Sequence, residues 1–258
     1  MSAVDGSLER ALAFERQTVA LLADEVAPID EGWLIRTPSL PQVWSLNEVR
    51  VTRPIRFGDA LALVEAHMGE LPYRQLVVEH PDAGRRLEAE FRAEGWQVDR
   101  QVSMALHGNP DRQVDTSTVI EPGEDETLKL MQRWMGDAHQ EATPEGLRQV
   151  LEYTRLTWRA RCMRRLGMVG ESGALAAMTM LYSDGTIAQV EDVYTVPEER
   201  GRGFARSLVT RAISLAREHG HELTFIVADD EGWPKHLYGR LGFQPVGRTW
   251  LFHRKVGD

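Results

Sequence analysis

The sequence contains very little cysteine and no long apolar run, and both absences narrow the possibilities. Cys162 is the only cysteine in 258 residues, so no disulfide can form within the chain. No uninterrupted apolar segment approaches the roughly 18 residues needed to cross a bilayer. The first residues also lack the basic start and apolar core of a secretory signal. We therefore expect a cytoplasmic protein that does not associate with membranes.

Positive charge is also scarce. The chain carries 30 Lys and Arg against 39 Asp and Glu, a formal net charge of −9. Nucleic-acid binders need clustered basic side chains to contact phosphates, so we expect no nucleic-acid partner. The negative charge can serve solubility alone; alternatively, acidic residues around a pocket attract a cationic small molecule.

Polar, turn-rich stretches at residues 108–112 and 121–126 interrupt the apolar patterning near the middle of the chain. The length suits one large domain or two of ordinary size. We predict two domains, residues 1–110 and 115–258, with the boundary near residues 108–120.

Hydrophobic periodicity predicts alternating strands and helices. The predicted helices are residues 8–23, 58–67, 83–93, 124–134, 144–153, 203–218 and 233–241. The predicted strands are residues 43–51, 76–78, 98–106, 162–169, 174–182, 186–195, 223–227 and 246–252, with a hairpin turn at Ser183-Asp184-Gly185. This order predicts an α/β protein with a mixed (α+β) sheet covered by helices.

An internal repeat links the two halves. Residues 91–97 and 238–244 share the order aromatic, three residues, Gly, aromatic, Gln, and each segment follows a helical pattern and precedes a strand. The pattern predicts a strand, a helix ending at a glycine, and a returning strand in each half. Duplication explains it, and a chance match is the alternative.

A glycine-rich turn in the second half is the most informative segment. A strand ends before Pro197, and a loop containing Gly201 and Gly203 leads into an amphipathic helix. Glycine lets the backbone approach a ligand closely, and unpaired N–H groups at a helix start favour an anion. Arg200 and Arg202 add positive charge. The turn predicts a pyrophosphate site that needs no metal; alternatively, it is a solvated basic loop.

This turn resembles the acetyl-CoA-binding motif of the GNAT (GCN5-related N-acetyltransferase) superfamily, with Arg200, Gly203 and Ala205 at the motif positions. The resemblance covers about residues 115–258 and implies a GNAT fold there. It implies that one strand end pairs with the pantetheine arm and that the following backbone holds the pyrophosphate of acetyl-CoA. The implied cofactor-binding residues are Val193, Tyr194, Thr195, Arg200, Gly201, Arg202, Gly203, Phe204, Ala205 and Arg206.

Residues 236–243 resemble a second family signature, Leu-Tyr, three residues, Gly-Phe, in which the tyrosine is Tyr238. In many family members this tyrosine protonates the leaving thiolate, so the resemblance implies that Tyr238 is the general acid. A phenol pKa of about 10 lies near that of an alkyl thiol, which suits the role. Alternatively, Tyr238 is only an aromatic wedge between helix and sheet.

The first half lacks both features. Phe91 stands where the second half has Tyr238, and residues 52–58 contain a single glycine, Gly58. We hypothesise that residues 1–110 form a degenerate GNAT-like half that has no cofactor and shapes the acceptor pocket.

An amine acceptor with a pKa near 10.4 is mostly protonated at neutral pH, so transfer needs a base. Strand alternation predicts that Glu191 shares a face with Val193 and Thr195, and many GNAT enzymes use a glutamate on this strand. Glu191 is therefore the candidate base and Asp192 the second; alternatively, both are surface acids. The best-known family position falls nearer Gln189, which cannot act as a base.

Together these features predict an N-acetyltransferase that moves an acetyl (acyl) group from acetyl-CoA to a small-molecule or peptide amine by direct transfer in a ternary complex. Two alternatives stay open: a non-catalytic acyl-CoA sensor, and a tandem GNAT protein with a larger acyl donor, similar to mycothiol synthase. The sequence leaves open the acceptor, the acyl chain length, and the choice between monomer and homodimer.

Overall fold

The computed structural model describes residues 3–138 and 143–257, which form one ten-stranded sheet and seven α-helices. The strands are β1 (Glu25–Ile29), β2 (Gly32–Arg36), β3 (Glu48–Val51), β4 (Tyr73–Val78), β5 (Gln97–Leu106), β6 (Cys162–Val169), β7 (Leu175–Ser183), β8 (Ile187–Thr195), β9 (Leu223–Asp229) and β10 (Phe243–Lys255). The helices are α1 (Ala3–Leu22), α2 (Phe57–Met68), α3 (Pro81–Ala93), α4 (Glu124–Ala138), α5 (Pro144–Arg161), α6 (Phe204–Glu218) and α7 (Pro234–Arg240). None of the helices in these ranges combines the length and apolar character needed to span a membrane.

The strand order is β1-β2-β3-β4-β10-β5-β9-β8-β7-β6. Among these strands, only the pairs β3–β4 and β8–β9 are parallel. The order of parallel and antiparallel strand pairs is therefore the same when the sheet is followed inward from either edge. The mixed α/β fold predicted from the sequence is confirmed.

The last strand of each half is exchanged between the halves. β10 lies between β4 and β5, and β5 lies between β10 and β9. The sheet therefore runs without interruption across the predicted boundary near residues 108–120, and that boundary stays a prediction.

Helices cover both faces of the sheet. On one face, α6 buries the apolar side chains Leu208, Val209 and Ile213 in a cluster that includes Ile226 of β9. On the other face, Phe14 of α1 meets the neighbouring β9 residue Phe225 edge to face at 5.7 Å. Because strand side chains alternate between faces, β9 is buried on both sides.

Residues 43–51 differ from the prediction of one strand. A short 3-10 turn, Trp44–Leu46, precedes β3. The Asn47 side chain accepts a hydrogen bond from Thr37 N at 2.8 Å and donates to Leu40 O and Val43 O at 3.0 Å. These bonds stabilise the turn, so the strand begins only at Glu48. The edge strands β1 and β2 were not predicted.

Candidate functional site

The predicted anion site lies at the start of α6. Gly201 and Gly203 have left-handed φ angles of 80° and 85°, and a Cβ added to either would meet no atom within 4 Å. No side chain caps the helix at Gly203. Within residues 3–138 and 143–257, the first N–H group of α6 with a backbone acceptor is that of Ser207, which donates to Gly203 O at 3.0 Å. The preceding N–H groups are free to bind an anion.

A buried glutamate stabilises the glycine-rich loop before α6. Glu199 is 6% exposed and accepts a hydrogen bond from Glu171 N at 2.7 Å. It also forms an ion pair with Arg202, which in turn lies 2.8 Å from the Glu171 carboxylate. The charge of Arg202 is therefore balanced, contrary to the expectation that it adds net positive charge. Arg200 is exposed and donates from Nε to Thr195 O at 3.1 Å.

Arg206 offers only its backbone to a ligand at this site. Its buried guanidinium forms an ion pair with Asp111 at 2.5 Å, which ties α6 to the segment after β5. Phe204 lies under the Arg202 guanidinium at 5.7 Å, and Ala205 packs against the core beneath α6. The loop and first helical turn are thus fixed by their own side chains without those side chains filling the anion site.

The two parallel strands beside this site separate. β8 and β9 pair from Ile187 and Leu223 to Val190 and Ile226. Beyond that point β9 stays paired with β5 on its other edge, while β8 continues to Thr195 beside β7. The edge of β8 over residues 191–195 therefore has no strand partner on its β9 side in the described sheet. An extended ligand can pair with that edge, which carries Val193, Tyr194 and Thr195.

Tyr238 lies on α7 beside this gap. It is 6% exposed and packs in the same cluster as Val190 and Ile226, with its ring 6.4 Å from that of Phe243. Its hydroxyl makes no hydrogen bond to another residue of the described chain. Burial, reinforced by the Glu191 carboxylate, raises the pKa of Tyr238 above its ordinary value. The phenol is therefore protonated at neutral pH and has a proton to donate.

A β-bulge changes the direction of Glu191. Asp192 has φ 55°, the one positive φ outside glycine in the described chain, and the β7–β8 register shifts beside it. Val193 packs against the α6 cluster, whereas Glu191 lines a cavity on the opposite face, beneath α1. The prediction that Glu191 shares a face with Val193 is wrong, because the extra residue of the bulge breaks the alternation.

This cavity of ≈ 290 Å³ lies between the sheet and the helices α1 and α5. Glu191 and Val227, the first residues after β8 and β9 separate, both line it. The gap between these strands therefore lies between the anion site and Tyr238 on one face and the cavity on the other. Four carboxyl groups and one guanidinium line the cavity: Glu15, Glu48, Glu191, Asp192 and Arg50.

Burial raises the pKa of both carboxyl groups nearest the gap, and repulsion from neighbouring carboxylates adds to the rise for Glu191. Burial, together with the neighbouring Asp192 and Glu15 carboxylates, raises the pKa of Glu191 well above its ordinary value. Burial raises the pKa of Asp192 to about 6, opposed by a hydrogen bond from Tyr182 OH at 2.9 Å. Gln189 Nε2 donates to Glu191 Oε2 at 2.7 Å. A carboxyl with a pKa of about 6, such as that of Asp192, can exchange protons near neutral pH, and the raised pKa of Glu191 makes it a stronger base than an exposed carboxylate.

Neither the cysteine thiol nor the metal-ligating types of side chain form a second candidate site in the described residues. Burial raises the pKa of the Cys162 thiol to about 12, so it is not an activated nucleophile. Within residues 3–138 and 143–257, no three His, Cys, Asp or Glu side chains are grouped so that they could hold a metal ion.

The first half has no phenol at the corresponding place. α3 connects β4 to β5 as α7 connects β9 to β10, and Phe91 of α3 is fully buried. Its ring packs against Trp96 at 4.9 Å and Phe252 at 4.5 Å. The position that Tyr238 occupies on α7 is thus filled on α3 by a side chain that carries no proton for transfer.

The sequence analysis predicts the anion site but does not include most of the cavity, such as Glu15, Arg50 and Tyr182. A signal was available, because polar residues stand two positions apart in three of the strands. These pairs are Glu48 and Arg50, Gln101 and Ser103, and Gln189 and Glu191. Such alternation indicates one polar face on a buried sheet.

Comparison with known proteins agrees with this geometry. Residues 128–243 match the model of the acetyltransferase (GNAT) family. Comparison with curated proteins finds no match.

Three solved structures share the fold at low sequence identity. A GCN5-related N-acetyltransferase from Kribbella flavida is 16% identical, with 98% of this chain and 96% of the other covered and a TM-score of 0.61. A GCN5-related N-acetyltransferase from Sphaerobacter thermophilus is also 16% identical, with 80% and 73% covered and a TM-score of 0.55. A conserved protein of unknown function from Staphylococcus epidermidis is 14% identical, with 90% and 94% covered and a TM-score of 0.68.

The family match spans the separated strands, the glycine-rich turn and α7, which are the elements that build the site. Residues 128–243 of this chain are therefore similar to the GNAT acetyltransferase family over the segment that forms the candidate site.

Proposed function

We propose that this protein transfers an acetyl group from acetyl-CoA to an amine acceptor by direct attack in a ternary complex. One observation carries the proposal: β8 and β9 separate at the point where a free helix N-terminus on one face and an acid-lined cavity on the other approach the same gap. A thioester carrier and an amine can thus meet from opposite sides of the sheet.

In this proposal the carrier binds mainly through the backbone. The N–H groups from Gly201 to Arg206 hold the pyrophosphate, since they lack backbone partners at the positive end of the α6 dipole. The pantetheine arm pairs with the free edge of β8 at Val193, Tyr194 and Thr195. Arg200 is the nearby basic side chain without an ion pair among the described residues.

The chemistry needs two protons removed from the acceptor nitrogen and one supplied to the leaving sulfur. Glu191 takes a proton from the acceptor ammonium, and the amine nitrogen attacks the thioester carbonyl. The C–N bond forms, the C–S bond breaks, and Tyr238 gives its phenol proton to the leaving sulfur. The second proton, which the nitrogen loses as it becomes an amide, restores the Tyr238 phenol. The pKa of Glu191, raised by burial, makes it a stronger base than an exposed carboxylate, and the buried phenol arrives protonated.

We further propose that residues 1–110 are a degenerate GNAT-like half that shapes the acceptor site, and that residues 115–258 bind the carrier. The first half supplies Glu15, Glu48, Arg50 and Ser103 to the cavity wall. It carries Phe91 where α7 carries Tyr238.

Calorimetric titration of the full chain with acetyl-CoA, followed by a thiol-release assay over a panel of amines, tests the proposal. We expect binding without added metal and CoA release that depends on the amine. Binding without turnover on any amine would instead identify a sensor, and absence of acetyl-CoA binding would refute the assignment of the α6 N-terminus.

A further inference from the structure

The acid-lined cavity contains more carboxyl groups than one amine can pair with. We propose that it binds an acceptor with two cationic groups, an aliphatic diamine or polyamine. One amine lies at Glu191 and Asp192 for transfer, and the second lies at Glu15. This inference rests on the proposed function for the identity of the reacting end, and its binding component can be tested separately.

The charges at the far end of the cavity are only partly balanced. Arg50 donates to Glu48 Oε1 from Nε at 2.9 Å and from Nη2 at 2.6 Å, and from Nη1 to Glu79 at 2.9 Å. Arg16 lies 2.6 Å from Glu79 as well. Arg50 is thus paired with Glu48 and Glu79, and Arg16 is paired with Glu79. Neither guanidinium group is available to pair with Glu15.

Glu15 has no partner of its own. It lines the cavity from α1, and its carboxyl forms no ion pair or hydrogen bond with another residue in the described ranges. Burial and the nearby Glu79 and Glu48 carboxylates raise its pKa to about 7, against the attraction of Arg50. A cation placed beside Glu15 would supply the charge that the protein itself does not provide.

The hydroxyl groups of two buried residues that line the cavity favour a polar ligand there. Ser103 and Thr249 are 2% and 7% exposed, line the cavity, and make no side-chain hydrogen bond to any residue in the described part of the chain. The neighbours Val102 and Met104 pack in the α6 cluster, so alternation turns Ser103 toward the cavity. Buried polar groups are normally hydrogen-bonded, and an ammonium group or the water around it can supply these bonds.

The same features disfavour other small acceptors. An amino acid would bring a carboxylate to a site where Arg50 is already occupied and unpaired negative charge remains. A monoamine would leave Glu15 without a partner. The cavity volume of ≈ 290 Å³ lies at the low end of small-molecule sites, so it suits a short aliphatic chain.

Calorimetry on the full chain with CoA and a metal chelator tests the inference. The probes are a straight-chain diaminobutane with an amine at each end, butylamine, and the aminobutanoate of equal length. We expect the diamine to bind at least about tenfold more tightly than butylamine, and the aminobutanoate to bind most weakly.

Glu15→Gln should weaken diamine binding about tenfold and leave butylamine binding unchanged, because only the diamine reaches this carboxyl. Ser103→Ala is a second variant in the same wall and should also weaken diamine binding. Glu9→Gln is the matched control on α1: its side chain is 71% exposed and pairs with Arg16. Equal affinity for diamine and butylamine, or equal effects of Glu15→Gln and Glu9→Gln, would overturn the inference.

A different measurement, CoA release from acetyl-CoA, tests the transferase proposal. Diamine binding that depends on Glu15, without CoA release from acetyl-CoA, would leave the inference standing and remove the catalytic role. Turnover with equal kcat/KM for butylamine and diamine would support the transferase and overturn the two-cation site.

Discussion

Replacing Gly203 with valine tests whether the main chain at the start of α6 holds the diphosphate. Gly203 has φ 85°, and an added Cβ would meet no atom within 4 Å, so the folded chain has room for a side chain. The cost is conformational, because a residue other than glycine in the left-handed region loses roughly 1–2 kcal/mol. We expect the free energy of unfolding to fall by that amount, which corresponds to a Tm lowered by about 2–8 °C.

The effect on CoA affinity should be larger than the effect on stability. A valine that relaxes away from φ 85° redirects the N–H groups at the helix start, and its side chain enters the open space above them. A hydrogen bond to a charged group contributes about 1.5–3 kcal/mol. Loss of one such bond weakens binding roughly 10- to 150-fold, which calorimetry with CoA measures directly.

Gly220 provides a matched control at the opposite end of the same helix. It has φ 73°, and a Cβ there also meets no atom within 4 Å. Gly220→Val should therefore lower Tm by a similar amount while CoA affinity stays at the wild-type value. Unchanged affinity in Gly203→Val, or an equal loss in both variants, would refute the assignment of the diphosphate to this turn.

Three further predictions concern the acid, the base and the exchanged strand. Tyr238→Phe should lower turnover about 10²-fold or more by removing the general acid, while CoA affinity is unchanged; Tyr73→Phe is the control, and equal turnover would exclude Tyr238 from the mechanism. Asp192→Asn removes a negative charge beside Glu191 and so lowers the pKa of Glu191, which should move the acidic limb of the kcat/KM profile to lower pH; an unmoved limb would contradict Glu191 as base. A chain ending at residue 242 lacks β10 and should lose cooperative thermal unfolding by circular dichroism, whereas one ending at 255 should keep it.

The elements that carry the anion site could be predicted because their signals are local. β6 has the predicted bounds, and α6 begins one residue after the predicted start at Gly203. Glycines before an amphipathic helix, after a strand that ends at a Val-Pro pair, constrain the chain within a few residues. The positive φ at Gly201 and Gly203 agrees with the interpretation of that turn.

The strands at the edge of the first half could not be predicted, because the sequence patterns that mark them are short or are overridden by side-chain contacts. β1 contains Pro28, which argues against a strand in sequence but is tolerated where a strand lies at an edge. β3 begins late because the Asn47 side chain binds three backbone groups of the preceding segment. Such side-chain contacts with residues up to 10 positions away are invisible to hydrophobic periodicity.

The orientation of the candidate base depended on one residue. Strict alternation predicted that Glu191 faces the same side as Val193, but the bulge at Asp192 reverses this relation. The reversal moves Glu191 from the side of the α6 cluster to the cavity, where an acceptor can reach it. A positive φ at a residue other than glycine is unfavourable, and such strain is found at functional sites. The bulge is therefore part of the proposed site geometry.

The exchanged strands explain why a chain with one anion site retains two halves. β10 and β5 lie at the centre of the sheet, and they carry Thr249 and Ser103, which line the middle of the cavity. Glu48 and Glu191 approach that middle from opposite sides, on strands that belong to different halves. Neither half encloses the cavity alone, because each contributes the strand that completes the other. In residues 1–110 alone, β5 would lose both of its partner strands and β4 would stay paired only with β3. Binding studies on that fragment would therefore report on an incomplete sheet rather than on an isolated domain.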